Sequence, residues 1–358
     1  MGGYRAVLFF FGSARDPQIK RVLAEFDAAR QALQQTAFFG ISIDPNDQAL
    51  ETEIDQSDRF AFLWDFKGDL SIRYGVCQLE EGSSGITYDP TTFILDENLR
   101  ILSIIPLETH LPHVAQVLDV LSRLPAPAPP RLIQQQAPVL LIPQVFSLDF
   151  CQHLIHLYET DGGTESGFMK QEGDKTVVVL NPAVKRRRDL LLTQPDLVSQ
   201  INGLIGRRVM PEIEKAFYIR MTQAERYTVA CYDASNQGFF TAHRDNTAAG
   251  TAHRRFAMTI NLNTGEYEGG CLRFPEYGTN LYAPEPGGAI VFSCSLLHEA
   301  TPVTQGRRFA LLSFFFDEEG AKLRQQTQKE IVRLDGMQRQ ALQDDRAKST
   351  SGFQPKKR

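Results

Sequence analysis

Two histidines, one carboxylate and one arginine carry the clearest chemistry in this chain: His243, Asp245, His298 and Arg308. Side chains at i and i+2 of a β-strand point to the same face, so His243 and Asp245 are expected to grip one ion together. His298, some fifty residues on, would complete one face of an octahedron. Three positions then stay open for a chelating co-substrate and O2, which is what a facial Fe(II) site requires. An isolated His-x-Asp is common and most often structural. What distinguishes this one is its strand-rich setting, with His298 and Arg308 downstream.

The elements that must position these residues begin near residue 226. RYTVACY (226–232), GFFTAHRD (238–245), RFAMTINLN (255–263), GGCLRFP (269–275), GAIVFSCS (288–295) and RRFALLSFFFD (307–317) are short apolar runs broken by Gly, Asn and Pro. Such spacing predicts a sandwich or jelly roll. Ahead of them, 137–159 reads as a strand and an amphipathic helix, 167–180 as a hairpin, and 195–217 as one helix. Pro125-Ala126-Pro127-Ala128-Pro129-Pro130 can be neither helix nor sheet and marks an extended spacer. Before it, strands are expected at 4–11, 37–44, 60–65, 91–96 and 101–105. Helices at 17–35, 46–56 and 109–123 alternate with them, an α/β layer pattern.

The motifs at 230–246, 255–263, 269–278 and 298–317 follow one another in the order of a known family. Residues 138–317 resemble a 2-oxoglutarate- and Fe(II)-dependent dioxygenase of the prolyl 4-hydroxylase type. The resemblance implies a double-stranded β-helix (jelly roll) with flanking helices, and iron held by His243, Asp245 and His298. It implies that Arg308 grips the distal carboxylate of 2-oxoglutarate, that Tyr232 lines the co-substrate pocket, and that Asn261 is another polar partner for that carboxylate. The guanidinium agrees on physical grounds, being a planar, permanently charged fork suited to a carboxylate. O2 and 2-oxoglutarate would be consumed and succinate and CO2 released while a peptide or small molecule is hydroxylated, with ascorbate (vitamin C) as an accessory. Halide-transferring relatives lose the carboxylate ligand, and Asp245 is retained here.

Residues 4–124 resemble the thioredoxin-like fold, its peroxiredoxin branch in particular, on VLFFF (7–11), GISID (40–44) and DPTTFILDENLRI (89–101). Pro90 stands where that fold places a cis-proline. Peroxidase chemistry needs a low-pKa cysteine at the start of the first helix. Gly12-Ser13-Ala14-Arg15-Asp16-Pro17 contains none, and the first cysteine is Cys77. The expected layout is therefore a redox-inactive thioredoxin/peroxiredoxin-like domain at 1–124, a linker at 125–137, the dioxygenase domain at 138–317, and a helical extension with a disordered tail at 318–358. A rival role is a binding scaffold, in which the N-terminal domain recruits a protein partner and the oxygenase domain is a sensor.

Composition sets the remaining bounds. The 358 residues carry a net charge of −5, which gives no reason to expect nucleic acid as a partner. No apolar run approaches the roughly 20 residues of a membrane helix, so no membrane is expected. Five scattered cysteines and no secretory pattern point to reduced thiols in the cytoplasm, each a small buried hydrophobe. His253 is read as structural, His153 and His156 as helix-boundary residues, and His110 and His113 as solvated. Asp233 and Asn246 are read as turn residues. Lys185-Arg186-Arg187-Arg188 is either a solvated basic turn or part of a segment, 162–188, that folds over the site and favours an acidic substrate.

Overall fold

The computed structural model describes residues 2–50, 57, 59–79, 86–126, 129–130 and 132–327, and the backbone of 331–332. The tail expected to be disordered, and most of the region from 328 onward, lie outside these residues. The chain divides into two compact units, Met1–Arg131 and Leu132–Arg358.

In the first unit, β1 (Arg5–Gly12), β2 (Thr36–Ser42), β3 (Phe60–Trp64), β4 (Thr91–Leu95) and β5 (Ile101–Pro106) form one sheet in the order β3-β2-β1-β4-β5. β1, β2 and β3 run parallel, while β4 and β5 are antiparallel. β1 is a continuous apolar run because both of its faces are covered. Val7, Phe9 and Phe11 pack with Ile19, Val22 and Phe26 of α1 (Pro17–Ala28) and with Val114 and Val117 of α2 (His113–Arg123). Ala6, Leu8 and Phe10 meet Ile41, Phe93 and Leu95 on the other face.

Asp16 caps α1 by accepting the Gln18 N–H, with Pro17 in the first turn. The helix stops at Ala28 rather than running to residue 35. Tight turns through Ala29 and Arg30 bury Leu33 and return the chain to β2. In the β1–α1 turn, Ser13 Oγ donates to Asp44 (2.7 Å) and the Ala14 N–H donates to Asp47 (2.8 Å). Cys77 is buried, and burial followed by the Asp65 charge pushes its thiol up. Among the described residues no peptide bond is cis, so the expected cis bond before Pro90 is absent. His113 is also a correction. It is buried rather than solvated, its Nε2 lies 2.7 Å from Thr92 Oγ1, and its ring lies 5.5 Å from that of Phe9.

The second unit is built on two antiparallel sheets. The larger contains β6 (Leu140–Ile142), β10 (Arg188–Leu191), β11 (Thr228–Asp233), β13 (Phe256–Asn261), β16 (Ala289–Ser293) and β18 (Arg307–Phe316). Their order is β6-β16-β13-β18-β11-β10, ending on the short strand Thr164–Glu165. The smaller sheet runs β9-β12-β17-β14-β15. These are Lys185–Arg186, Phe239–His243, His298–Ala300, Leu272–Arg273 and Leu281–Tyr282. A hairpin of β7 (Phe168–Glu172) and β8 (Lys175–Val179) stands where one was expected, with β19 (Ile331–Val332) paired parallel to β8.

Strand alternation divides the larger sheet cleanly. Val229, Cys231, Met258, Ile260, Phe309 and Leu311 face three helices, Leu148–Asp161 (α3), Pro195–Arg208 (α4) and Met210–Phe217 (α5). Residues one step along, Tyr232, Ala257, Thr259, Arg308 and Leu312, line the space toward the smaller sheet. α4 and α5 replace the single helix expected at 195–217. Pro211 cannot donate a backbone hydrogen bond, and the chain breaks at Val209. Residues expected to be helical after 317 begin as α6 (Glu318–Thr327).

Burial drives the His113 imidazole down to about 4. The unfolded chain keeps the ordinary value of about 6.5 and so binds more protons between these limits. The contribution of neutral His113 should be complete above about pH 6.5 and lost as pH falls toward 4, a change of up to about 3 kcal/mol. Trp64, the only tryptophan, lies with His113 in the first unit and supplies the signal. Urea unfolding of the full chain followed by its fluorescence should weaken over that window, and His113→Gln should flatten the curve.

Candidate metal and co-substrate site

A cavity of about 1120 Å³ lies within the second unit, lined by both sheets. His243 ends β12 and His298 opens β17. The two are register partners, with ring centroids 4.3 Å apart. Each imidazole has its Nδ1 at a backbone carbonyl, Thr241 O at 2.7 Å and Leu296 O at 2.9 Å. With Nδ1–H donating there, Nε2 carries the free lone pair, as a metal ligand must. Asp245 Oδ1 lies 3.4 Å from His243 Nε2, and its Oδ2 lies 3.3 Å from His298 Nε2. One donor atom from each of the three residues falls within 4.8 Å of the others.

The convergence is reached differently from the expected strand alternation. β12 stops at His243, and Asp245 sits in the following turn. Its N–H donates to the Cys294 carbonyl at 2.9 Å, which holds it beside β17. Burial favours protonated Asp245, but the His298 charge, then the hydrogen bond and charge of His243, outweigh it and hold the carboxyl well below its ordinary range. Burial pushes the His298 imidazole below its ordinary value, with the Asp245 charge pulling it back. A carboxylate oxygen and imidazole nitrogens are donors that suit a divalent ion.

Arg308 is almost completely buried on β18, directly across from Tyr232 on β11. Its Nη2 donates to Asn261 Oδ1 (3.0 Å) and reaches Thr259 Oγ1 (3.4 Å), and the guanidinium lies 5.2 Å from the Tyr232 ring centroid. Its Nε has no hydrogen-bond partner, and no carboxylate pairs with Arg308 among the described residues. Gly270 leaves room for this side chain, since a Cβ there would lie 3.0 Å from Arg308 Cδ. Asn261 acts on Arg308 and is itself held by Thr264 and Tyr267.

The basic run is neither a turn nor uniformly solvated. It runs through β9, Arg187 and into β10, and every second residue, Lys185, Arg187 and Asp189, lines the cavity. Arg187 forms a two-pronged pair with Asp189 (2.7 Å on each arm), and its Nη1 lies 3.3 Å from Tyr232 Oη. Lys185 Nζ donates to Ser166 Oγ (2.7 Å) and Gly167 O (2.6 Å). Burial, then the Arg187 charge, pushes the Lys185 ammonium well below its usual range, with Asp189 and Asp245 pulling it back. Arg186 and Arg188 are spent on backbone carbonyls. The alternation of a basic strand was a usable signal for Lys185 and Arg187, masked by reading four cations as one turn.

His253 is no ligand. Its Nε2 lies 2.8 Å from buried Glu225 Oε1, and Arg254 holds the same carboxylate at 2.7 and 2.9 Å. Arg254 Nη1 also reaches the Asp245 carbonyl at 3.4 Å, tying this network to the turn that carries Asp245. His153 and His156 are exposed on α3, Asp233 caps a turn, and Asn246 donates to Ser295. All five cysteines are free, four of them buried.

Residues 1–104 match the family model described as AhpC/TSA family. The chain is 28% identical over 193 residues to a multifunctional procollagen lysine hydroxylase and glycosyltransferase of Caenorhabditis elegans, covering 52% of this chain and 25% of that protein. The chain spans between 14% and 25% of the length of the curated relatives it matches. A prolyl-4-hydroxylase structure from Pseudomonas putida shares 15% identity at a TM-score of 0.38, covering 51% of this chain and 94% of that one. A Xanthomonas campestris bacterioferritin comigratory protein, described for alkyl peroxide reduction, shares 16% at a TM-score of 0.29, covering 34% and 80%. The chain thus joins a segment similar to AhpC/TSA proteins to a segment similar to procollagen lysine hydroxylases. Among the described residues no helix is long and apolar enough to cross a membrane.

Glu225 is held well below the usual carboxylate range. Burial opposes its charge, and Arg254, followed by the His253 hydrogen bond, overcomes it. Glu225→Gln keeps the shape but leaves Arg254 buried without its counter-charge, at a cost of roughly 3–5 kcal/mol. Denaturant unfolding of the full chain followed by circular dichroism should show that loss. A change below about 0.5 kcal/mol would mean that water already screens the pair.

Proposed function

We propose that this chain is an Fe(II)- and 2-oxoglutarate-dependent dioxygenase that hydroxylates a peptide side chain or small molecule. The observation that carries it is the convergence of His243, Asp245 and His298 in one cavity with Arg308, a buried cation that no carboxylate pairs with among the described residues. Ligands roughly 2.1 Å from an ion at right angles lie about 3 Å apart, close to the separations between Asp245 and each histidine. The residues present therefore fit iron and a dicarboxylate. The bound pair would supply oxidative decarboxylation of 2-oxoglutarate to succinate and CO2, with one oxygen atom delivered to a substrate C–H bond.

The protein's own part is positional. His243 and His298 hold their Nε2 lone pairs inward through their Nδ1 hydrogen bonds, and Asp245 supplies the anion. Arg308 would fix the distal carboxylate of the co-substrate through Nε and Nη, with Asn261 and Thr259 orienting the fork and Tyr232 covering its face. A substrate bound in the cavity mouth would keep water from the reacting centre. The similarity to procollagen lysine hydroxylases supports a hydroxylase with a peptide substrate.

We further read the strand order as a double-stranded β-helix. The domain limits are proposed as 1–124, 138–317 and 318–358, with 125–137 as linker. Ascorbate would maintain the ferrous ion, and free cysteines favour the cytoplasm. The N-terminal unit would recruit a protein partner, since the β1–α1 turn offers no thiolate for peroxidase chemistry.

Incubation of the full chain with Fe(II), 2-oxoglutarate and a cell-extract peptide mixture should release succinate and add one oxygen to particular peptides by mass spectrometry. His298→Ala should lower both rates by at least about 100-fold, because it removes a ligand. Absence of both products, with intact metal binding, would instead favour the scaffold role, in which the N-terminal unit recruits a partner and the second unit senses.

A further inference from the structure

Two basic side chains lining the cavity, Arg308 and Lys185, have no carboxylate within ion-pair distance among the described residues. Of the basic side chains lining it, Arg187 is matched by Asp189, Arg254 by Glu225, and Arg244 by Glu276 at 2.6 Å. Arg226 lies 3.7 Å from Glu225. Arg308 is reserved for the co-substrate, and Lys185 remains. It is 6% exposed, yet both acceptors on its ammonium are neutral oxygens, of Ser166 and Gly167. As an ammonium Lys185 has three donors and uses two, and an incoming carboxylate would favour that charged form against its burial.

Its location is specific. Lys185 is the register partner of Phe240 on β12, and Nζ stands 4.9 Å from the centre of that ring. The Phe240 ring in turn stacks on His243 at 3.6 Å. One aromatic ring therefore separates the ammonium from a ligand of the proposed metal site. Ser166 and Phe168, on the segment leading into the β7–β8 hairpin, close over the same corner.

We propose that Lys185 is a specificity-determining residue that binds a carboxylate of a peptide substrate, beside the carbon presented to the metal. This rests on the oxygenase reading and narrows it to acidic peptides. An anion completes the third donor and offsets the cost of burying a charge that no acidic side chain among the described residues pairs with. The adjacent Phe168, Met169, Phe240 and Leu191 favour the apolar part of the same residue or its neighbour. The cavity, at about 1120 Å³, exceeds the range of most small-ligand pockets and leaves room for a peptide beside a dicarboxylate.

The test uses the full chain, Fe(II), 2-oxoglutarate and a proteome-derived peptide library, with oxygen-gaining residues located by tandem mass spectrometry. Wild type should show Asp, Glu or a free C-terminal carboxylate within two positions of the modified residue, enriched about tenfold over the library. Lys185→Met should abolish that enrichment while retaining 2-oxoglutarate turnover, and Lys185→Arg should keep part of it. Oxygen gain in wild type without acidic enrichment would overturn the proposal whether or not the variants fold. Enrichment unchanged in a folded Lys185→Met would do so too, and would make Lys185 a staple between β9 and residues 166–167. Loss of all oxygen gain and of 2-oxoglutarate turnover in wild type would instead overturn the oxygenase reading on which the proposal stands.

Discussion

A guanidinium sealed inside a protein without a carboxylate beside it is the constraint from which most of the second unit can be understood. Arg308 cannot shed its proton, so its charge must be met by dipoles, by a π face or by a ligand. Asn261 and Thr259 meet one nitrogen and Tyr232 one face, while Nε is left without a partner. Neutral oxygens stabilise the fork without neutralising it. A carboxylate entering the cavity would find a counter-charge already oriented, with little side-chain freedom left to lose.

The sheets exist to hold that geometry. Alternation along β11, β13 and β18 puts Tyr232, Thr259 and Arg308 on the cavity side, while Cys231, Met258 and Phe309 anchor the other face against helices. The opposite sheet brings His243 and His298 together as register partners. A single-residue slip in either sheet would turn these groups to the wrong side, so apolar packing on one face enforces polar convergence on the other. Glu225 and Arg254 add a buried charged strut whose far end touches the Asp245 backbone. Positioning at this site therefore depends on packing and electrostatics together.

Much of this was legible from residue types and spacing. Apolar runs separated by Gly, Asn and Pro marked the strands of the second unit, and β1 of the first unit could be read from its unbroken VLFFF. The three residues proposed as ligands, and Arg308, do share one cavity. Less legible were features set by tertiary context. His113 sits in a polar-looking helix start, yet Phe9 and Phe26 enclose it. Asp245 reaches the site from a turn because Cys294 captures its N–H, a contact between residues 49 positions apart that no local pattern displays. The helix at 195–217 breaks at Val209, two residues before Pro211, a proline visible in the sequence and outweighed by the apolar period. Lys185 and Arg187 were hidden inside a run of four cations. Only strand alternation separates the two that face inward from the two that do not.

The central claim is that Arg308 and the His243–Asp245–His298 cluster together receive a metal-chelating dicarboxylate. Calorimetric titration of 2-oxoglutarate into the full chain under anaerobic conditions, with and without Fe(II), measures this most directly. Tight binding should require the metal, and Arg308→Ala should weaken it by about 100-fold while the affinity for Fe(II) itself changes little. Equal 2-oxoglutarate affinity with and without metal, or an unchanged affinity in Arg308→Ala, would contradict the account.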